Sequence, residues 1–183
     1  MFQETLHDYP VVLWMDTSVR IQSARVEPLF CQLLKNGGIL SFKGKEHSNG
    51  RVTYPKTYEY LPTNVTMQFK TNSHSSTMFY VNTRHNFERF MHWHALCALE
   101  KQCIAPTNQI RCNWKAKTAA ACHRYDMSSQ NVLLSNIHNF DATAYGVKRQ
   151  QLLTIERGNK KLGPSWERVI NTGRAAGGDV SKG

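Results

Sequence analysis

Val11-Val12-Leu13-Trp14-Met15 is an unbroken apolar run that stops abruptly on Asp16-Thr17-Ser18. A short apolar run without alternation, rich in valine and tryptophan, is the pattern of a strand covered on both faces. Such strands are typical of the parallel sheets of α/β proteins, in which ligands bind just beyond the carboxyl ends of the strands. The run therefore predicts a buried strand over 10–16, with Asp16, Thr17 and Ser18 at its tip as a candidate ligand or metal site. Asp16 is equally the kind of residue that opens a turn.

The rest of the chain reads as helices and strands in alternation. Glu27 with Pro28 in a first turn, where proline is tolerated, begins a helix whose apolar face is Leu29, Phe30, Leu33 and Leu34. Gly37-Gly38 ends it, and Cys31 within it is expected as a small buried hydrophobe. Ile39–Phe42 is a short strand. The segment 43–60 is polar and turn-rich, a long connection of the sort that often carries function. Its Tyr54, Tyr58 and Tyr60 can stack on a sugar or pack the segment onto the core. Val65–Phe69 and Met78–Val81 read as strands around a polar loop, 71–76. Asn82 or Thr83 caps a helix running to about Glu100, with Phe87, Phe90, Met91, His94, Cys97 and Ala98 at helical spacing. His92 and His94 fall on different faces of it, so His94 is expected inside and His92 outside. A second helix is expected over 127–139, with Asp126 or Ser128 as its N-cap, and a last strand over 152–155.

These elements fit one domain in 183 residues, spanning 8–157 and followed by a loose basic tail, 158–183. Eight of the Lys and Arg residues, against three acids, lie between Lys148 and Lys182. The remaining positive charge is dispersed, and no block of like charge marks a nucleic-acid arm. A net charge of +10 also suits phosphate-bearing small molecules. No apolar run is long enough to span a membrane, and the first nine residues lack the layout of a signal peptide.

Cys97, Cys103, Cys112 and Cys122 fall within 26 residues. Zinc sites usually present paired C-x2-4-C knuckles, whereas here five, eight and nine residues separate the cysteines and Cys97 sits in a helix. Two disulfides fit better, in any of three pairings, and imply an oxidising compartment. The sequon Asn64-Val65-Thr66, a candidate glycosylation site, points the same way.

Two polar clusters carry the candidate chemistry. Asp16, Thr17 and Ser18 suit a hard cation, Mg²⁺ or Mn²⁺, whose shell a diphosphate would complete. Sugar transfer from a nucleotide is one reaction that uses such a cation, because it stabilises the departing diphosphate. The second cluster is His123-Arg124-Tyr125-Asp126, where a loop enters a helix. Backbone N–H groups there favour an anion and Arg124 adds a bidentate donor. Asp126 is a candidate general base, or simply the cap, and His123 a second catalytic candidate or a packing group on the disulfide.

Three segments in order, Trp14-Met15-Asp16-Thr17-Ser18, then Cys97-Ala98-Leu99 with Cys103-Ile104-Ala105-Pro106, then Cys122-His123-Arg124-Tyr125-Asp126 with Ser129 and Asn131, resemble a nematode-rich family, domain of unknown function family 1647. The resemblance covers about residues 8–157. Members of that family resemble type A glycosyltransferases of the secretory pathway, usually type II membrane proteins. The W-x-D-x-S segment is similar to the D-x-D strand that binds metal and nucleotide-sugar, with Ser18 in place of the second acid. The family continues Gln-Ser after the second motif's aspartate, where this chain has Met127-Ser128-Ser129. It also carries an upstream half and a membrane anchor, so this chain looks like a truncated member. The resemblance implies an α/β fold, part of a glycosyltransferase-A-like sheet with flanking helices and a disulfide-stapled loop. It implies transfer from a nucleotide-sugar to a glycan or protein acceptor. Asp16 would hold Mn²⁺ or Mg²⁺, Thr17, Ser18 and Arg124 the diphosphate, and Asp126 or His123 would serve the acceptor. The expected location is the Golgi or secretory lumen where an anchor is present. The alternative is a non-catalytic disulfide-stapled domain that binds a glycan or protein through Tyr54, Tyr58 and Tyr60.

Overall fold

The computed structural model describes residues 8–23, 26–113, 122–148 and 153–155, so the expected tail, 158–183, lies outside the described residues. The fold is mixed α/β: one mixed sheet, flanking helices and two disulfides. In chain order the elements are β1 (Val11–Trp14), β2 (Val19–Ile21), α1 (Glu27–Lys35), β3 (Ile39–Ser48), α2 (Asn49–Val52), α3 (Thr57–Tyr60), α4 (Val65–Lys70) and β4 (Asn72–Val81). There follow α5 (Arg84–Asn86), a π-helical turn (Phe87–Met91), α6 (His92–Leu99), α7 (Lys101–Ile104), α8 (Asp126–Ile137), β5 (Gly146–Val147) and β6 (Leu153–Ile155). Among them no helix is long and apolar enough to cross a membrane.

The main sheet has the order β1-β4-β3-β5. β4 is antiparallel to β1 and to β3, and the one parallel pair joins β3 to β5. A small antiparallel pair, β2 with β6, lies apart. Side chains alternate across the sheet because successive residues of a strand face opposite sides. Ile39, Met78 and Tyr80 face one core with Phe90, Met91, Val132 and Leu134 from the helices. Leu40, Phe42 and Phe79 face a second core with Leu33 of α1, Val147 and Leu153.

This arrangement corrects the first expectation. β1 is antiparallel and at the sheet edge, not a buried parallel strand. The apolar run still does what its pattern requires: Val12 and Trp14 pack on one core while Val11, Leu13 and Met15 pack on the other. Coverage on both faces says nothing about strand direction, and an edge position leaves all four residues of the strand half-buried.

Several other expectations change. Val65–Phe69 is helix, because the Asn64 carbonyl oxygen of the side chain accepts from the Met67 N–H and nucleates a turn. The polar loop 71–76 is instead the first half of β4. The strand at Ile39 extends to Ser48, and short helices break the connection that follows. Cys31 is exposed rather than buried, since α1 meets the sheet through Leu29, Leu33 and the Phe30 ring on Phe79, while Leu34 faces outward. The helix boundaries hold well elsewhere. Gly37 and Gly38 adopt positive φ after α1, and the Thr83 hydroxyl accepts from the Asn86 N–H. Cys97 pairs with Cys103 and Cys112 with Cys122, so each bridge closes a local loop.

Candidate functional site

Asp16, Thr17 and Ser18 form the turn between β1 and β2. The Asp16 carbonyl accepts from the Val19 N–H at 2.9 Å, and the Arg20 guanidinium donates to the Thr17 carbonyl at 2.8 Å. Asp16 therefore does open a turn, and its side chain and that of Thr17 are exposed while Ser18 is half-buried.

The second cluster is held far more tightly. Cys122 is fixed by its disulfide to Cys112. His123 is completely buried, with the Tyr54 N–H donating to Nδ1 at 3.2 Å and Nε2–H donating to the Ile104 carbonyl at 2.9 Å. Burial holds its pKa below the usual range. Both ring nitrogens are committed to backbone, so the imidazole organises the segment and has no nitrogen turned toward a substrate. The Arg124 N–H donates to the Val52 carbonyl and to the Ser128 hydroxyl, and Ser128 donates in turn to the same carbonyl at 2.6 Å. Tyr125 has φ of 47° and ψ of −120°, a costly conformation for a residue with a side chain. Its ring meets His123 edge-on, with centroids 5.9 Å apart. Tyr125, not Asp126 or Ser128, occupies the N-cap position of α8, and it makes no side-chain capping bond.

Asp126 is the first residue of α8. Its carboxyl is raised above its ordinary pKa, first by burial and then by the nearby charge of Asp16; backbone N–H groups of the helix end and Arg124 oppose the shift. The fold thus brings Asp16, at the end of an edge strand, into electrostatic range of Asp126 and Arg124, more than a hundred residues later in the chain. A hydrogen bond at 3.4 Å steadies Arg124 on the Ile110 carbonyl. Asp16, which leads into the turn with Thr17 and Ser18, and Arg124 thus both act on Asp126 through charge, and this corner is the candidate site, while His123 sits inside.

The donor set fits a hard cation of modest demands. Magnesium is commonly held by one or two carboxylates with the rest of its shell from water and substrate phosphate. Asp16 is the exposed carboxylate at this corner, and its charge reaches Asp126; among the described residues no group of three or more His, Cys, Asp or Glu is placed to hold a metal on its own.

Residue types alone did not reveal what builds this corner from below. Asn131 and Ser128 of α8 were singled out for other reasons, and the buried amide chain, Asn49 to Gln68 to Ser135 with bonds of 2.8 and 2.7 Å, carries no sequence signal beyond its polarity. Asn64, the sequon residue, is exposed at the start of α4 with its Nδ2 unused by the cap. No protein-family model, curated protein or solved structure matches the chain.

Proposed function

We propose that the chain is a glycosyltransferase-like domain of the secretory pathway, with a type A glycosyltransferase sheet as its structural ancestry and a nucleotide-sugar as its donor. One observation carries the reading: two segments singled out for the same chemistry converge, so that the charge of Asp16 is felt at Asp126 beside Arg124. Asp16 would hold Mn²⁺ or Mg²⁺, with Thr17 and Ser18 supplying hydroxyl oxygens. When bound, such a cation supplies charge neutralisation for a departing diphosphate. Arg124 binds a phosphate oxygen through its planar fork. Asp126, raised above the usual carboxylate range by burial and by the charge of Asp16, would take the proton of an acceptor hydroxyl. His123 positions this loop through its two backbone bonds. The disulfides support an oxidising compartment.

Calorimetric titration of the chain with Mn²⁺ and a panel of nucleotide-sugars tests this. Metal-dependent binding of one donor, lost in Asp16→Ala and weakened about tenfold or more in Arg124→Gln, is expected. No donor binding, or binding unchanged in Asp16→Ala, sinks the proposal.

A further inference from the structure

A cavity of about 510 Å³ opens at the other end of α8, among Tyr60, Pro62, Arg89, Trp93, Asn136 and Ile137. That volume lies within the range of small-molecule sites. The helix rises 1.5 Å per residue, so Asn136 stands about 15 Å from Asp126 and the cavity is separate from the donor corner.

The cavity has the composition of a saccharide site. Trp93 and Tyr60 present large aromatic surfaces to it and remain 46% and 38% exposed, although each sits on an ordered helix. Leu133 and Leu61 are buried beneath them as a floor. Aromatic rings flanked by a few fixed polar groups suit the apolar face and hydroxyl rim of a pyranose. The polar groups here are largely committed. Glu88 is paired with Arg84 at 2.7 Å, and the Asn136 amide is tied to Pro62 and Thr63. Among the described residues Arg89 has no hydrogen bond or ion pair, which leaves one free guanidinium at the rim.

The backbone supports this placement. Phe87–Met91 is a π-helical turn in which the His92 N–H reaches back five residues to Phe87. Such turns are rare and recur at functional sites; this one carries both Glu88 and Arg89. The Cys97–Cys103 bridge anchors the helix that carries Trp93. It also argues for an oxidising, extracytoplasmic setting, where glycans are the abundant ligands for an aromatic platform.

We infer that the Trp93–Tyr60 cavity binds a carboxylated saccharide, a uronic acid residue stacked on Trp93 with its carboxylate on Arg89. The site stands independently of the donor corner, and its test reads different residues.

Hyaluronan tetrasaccharide, neutral chitotetraose and uridine monophosphate are titrated into the chain, following tryptophan emission and ligand-observed NMR. Hyaluronan tetrasaccharide should bind, with affinity falling about tenfold in Trp93→Ala and about threefold to tenfold in Arg89→Gln. Trp93→Phe should retain most of it, and Asp16→Ala all of it. Chitotetraose should bind more weakly and be indifferent to Arg89→Gln. Absence of hyaluronan binding overturns the inference. So does binding unchanged in Trp93→Ala, which would be charge adsorption by a basic protein. Equal binding of chitotetraose with no dependence on Arg89, or tighter binding of the nucleotide through the same residues, overturns the acidic-saccharide assignment.

Discussion

Asn131 and His74 exchange two hydrogen bonds across the junction of α8 and β4. The Asn131 side-chain oxygen accepts from the His74 N–H at 2.6 Å, and its Nδ2 donates to the His74 carbonyl at 3.0 Å. A side-chain amide thus completes the strand as a neighbouring backbone would. The same Nδ2 donates to the Met127 carbonyl at 2.7 Å, tying the sheet to the first turn of the helix that carries Asp126.

Replacing Asn131 with Ala orphans both backbone groups of a buried residue. An unsatisfied buried polar group costs about 1–3 kcal/mol, so Asn131→Ala should destabilise by about 2–4 kcal/mol. Urea unfolding should show a lower midpoint at unchanged slope, the signature of altered stability rather than altered compactness.

This junction also shows where sequence reading stops. Asn72 to Thr77 is polar and reads as a loop, because its stability comes from partners in β3 and from Asn131, all distant in sequence. Val65-Thr66-Met67-Gln68-Phe69 alternates like a strand, yet five residues are too few for period to decide; the Asn64 cap and the burial of Gln68 among Ser135, Thr63 and Asn49 decide it as helix. Local signals were legible where the chemistry was local. Pro28, Gly37-Gly38 and Thr83 mark helix ends, and the four clustered cysteines were legible as two disulfides, though not which of the three pairings they take. At the candidate site the residue types were legible, and so was their grouping into two clusters. The convergence of the clusters was not, since it depends on β1 pairing with one half of β4 and α8 docking on the other through Asn131 and His74.

Acid should unfold the protein through its histidines. His74 is buried and His94 half-buried, and desolvation pushes each down to about 4. His94 is held by Ser129 at 3.0 Å and stacks on Phe90; His74 lies against Tyr145. Below the unfolded value of about 6.5 the unfolded chain binds protons that the native chain refuses. Stability therefore rises with pH between about 4 and 6.5, and is lost on acidification through that window. Each histidine contributes a slope of at most about 1.4 kcal/mol per pH unit. Unfolding midpoints from pH 4.5 to 7 should show an uptake of about two protons from this pair, with His123 and His138, also lowered by burial, adding to it, and His94→Gln should remove about one.

Gly146 is required by the His74 ring. A Cβ at this position would collide with His74 Cε1 and with the Ala142 carbonyl. Gly146 pairs with Ser41 in the parallel ladder, and the Tyr145 carbonyl accepts from the Ser41 N–H, so neither side can yield freely. Gly146→Ala should cost about 1–3 kcal/mol, as overpacking of a filled core does. The loss should be visible in thermal unfolding and partly recovered by His74→Ala in the same chain.

Asp126 gives the sharpest separation of stability from function. Its carboxyl is raised by burial and by Asp16, so the native state holds this proton more tightly than the unfolded chain. Its contribution is most favourable below the ordinary carboxylate pKa and is lost as pH rises through the raised value. At neutral pH the ionised group is a small liability, reduced by the water that reaches it. Asp126→Asn keeps an oxygen for the helix-end N–H groups and removes the charge. It should stabilise the ligand-free protein at pH 7 by on the order of 0.5–1 kcal/mol, about 1–4 °C in Tm. Asp16→Asn should give part of the same gain, and the double variant less than the sum, because the two share one repulsion. Asp16→Asn should also abolish Mn²⁺-dependent donor binding, whereas Asp126→Asn should spare it and abolish transfer. Additive gains would mean that the carboxylates do not interact. A destabilised Asp126→Asn would mean that the acid serves as a helix-end acceptor, and the corner would then lose its claim to be a site.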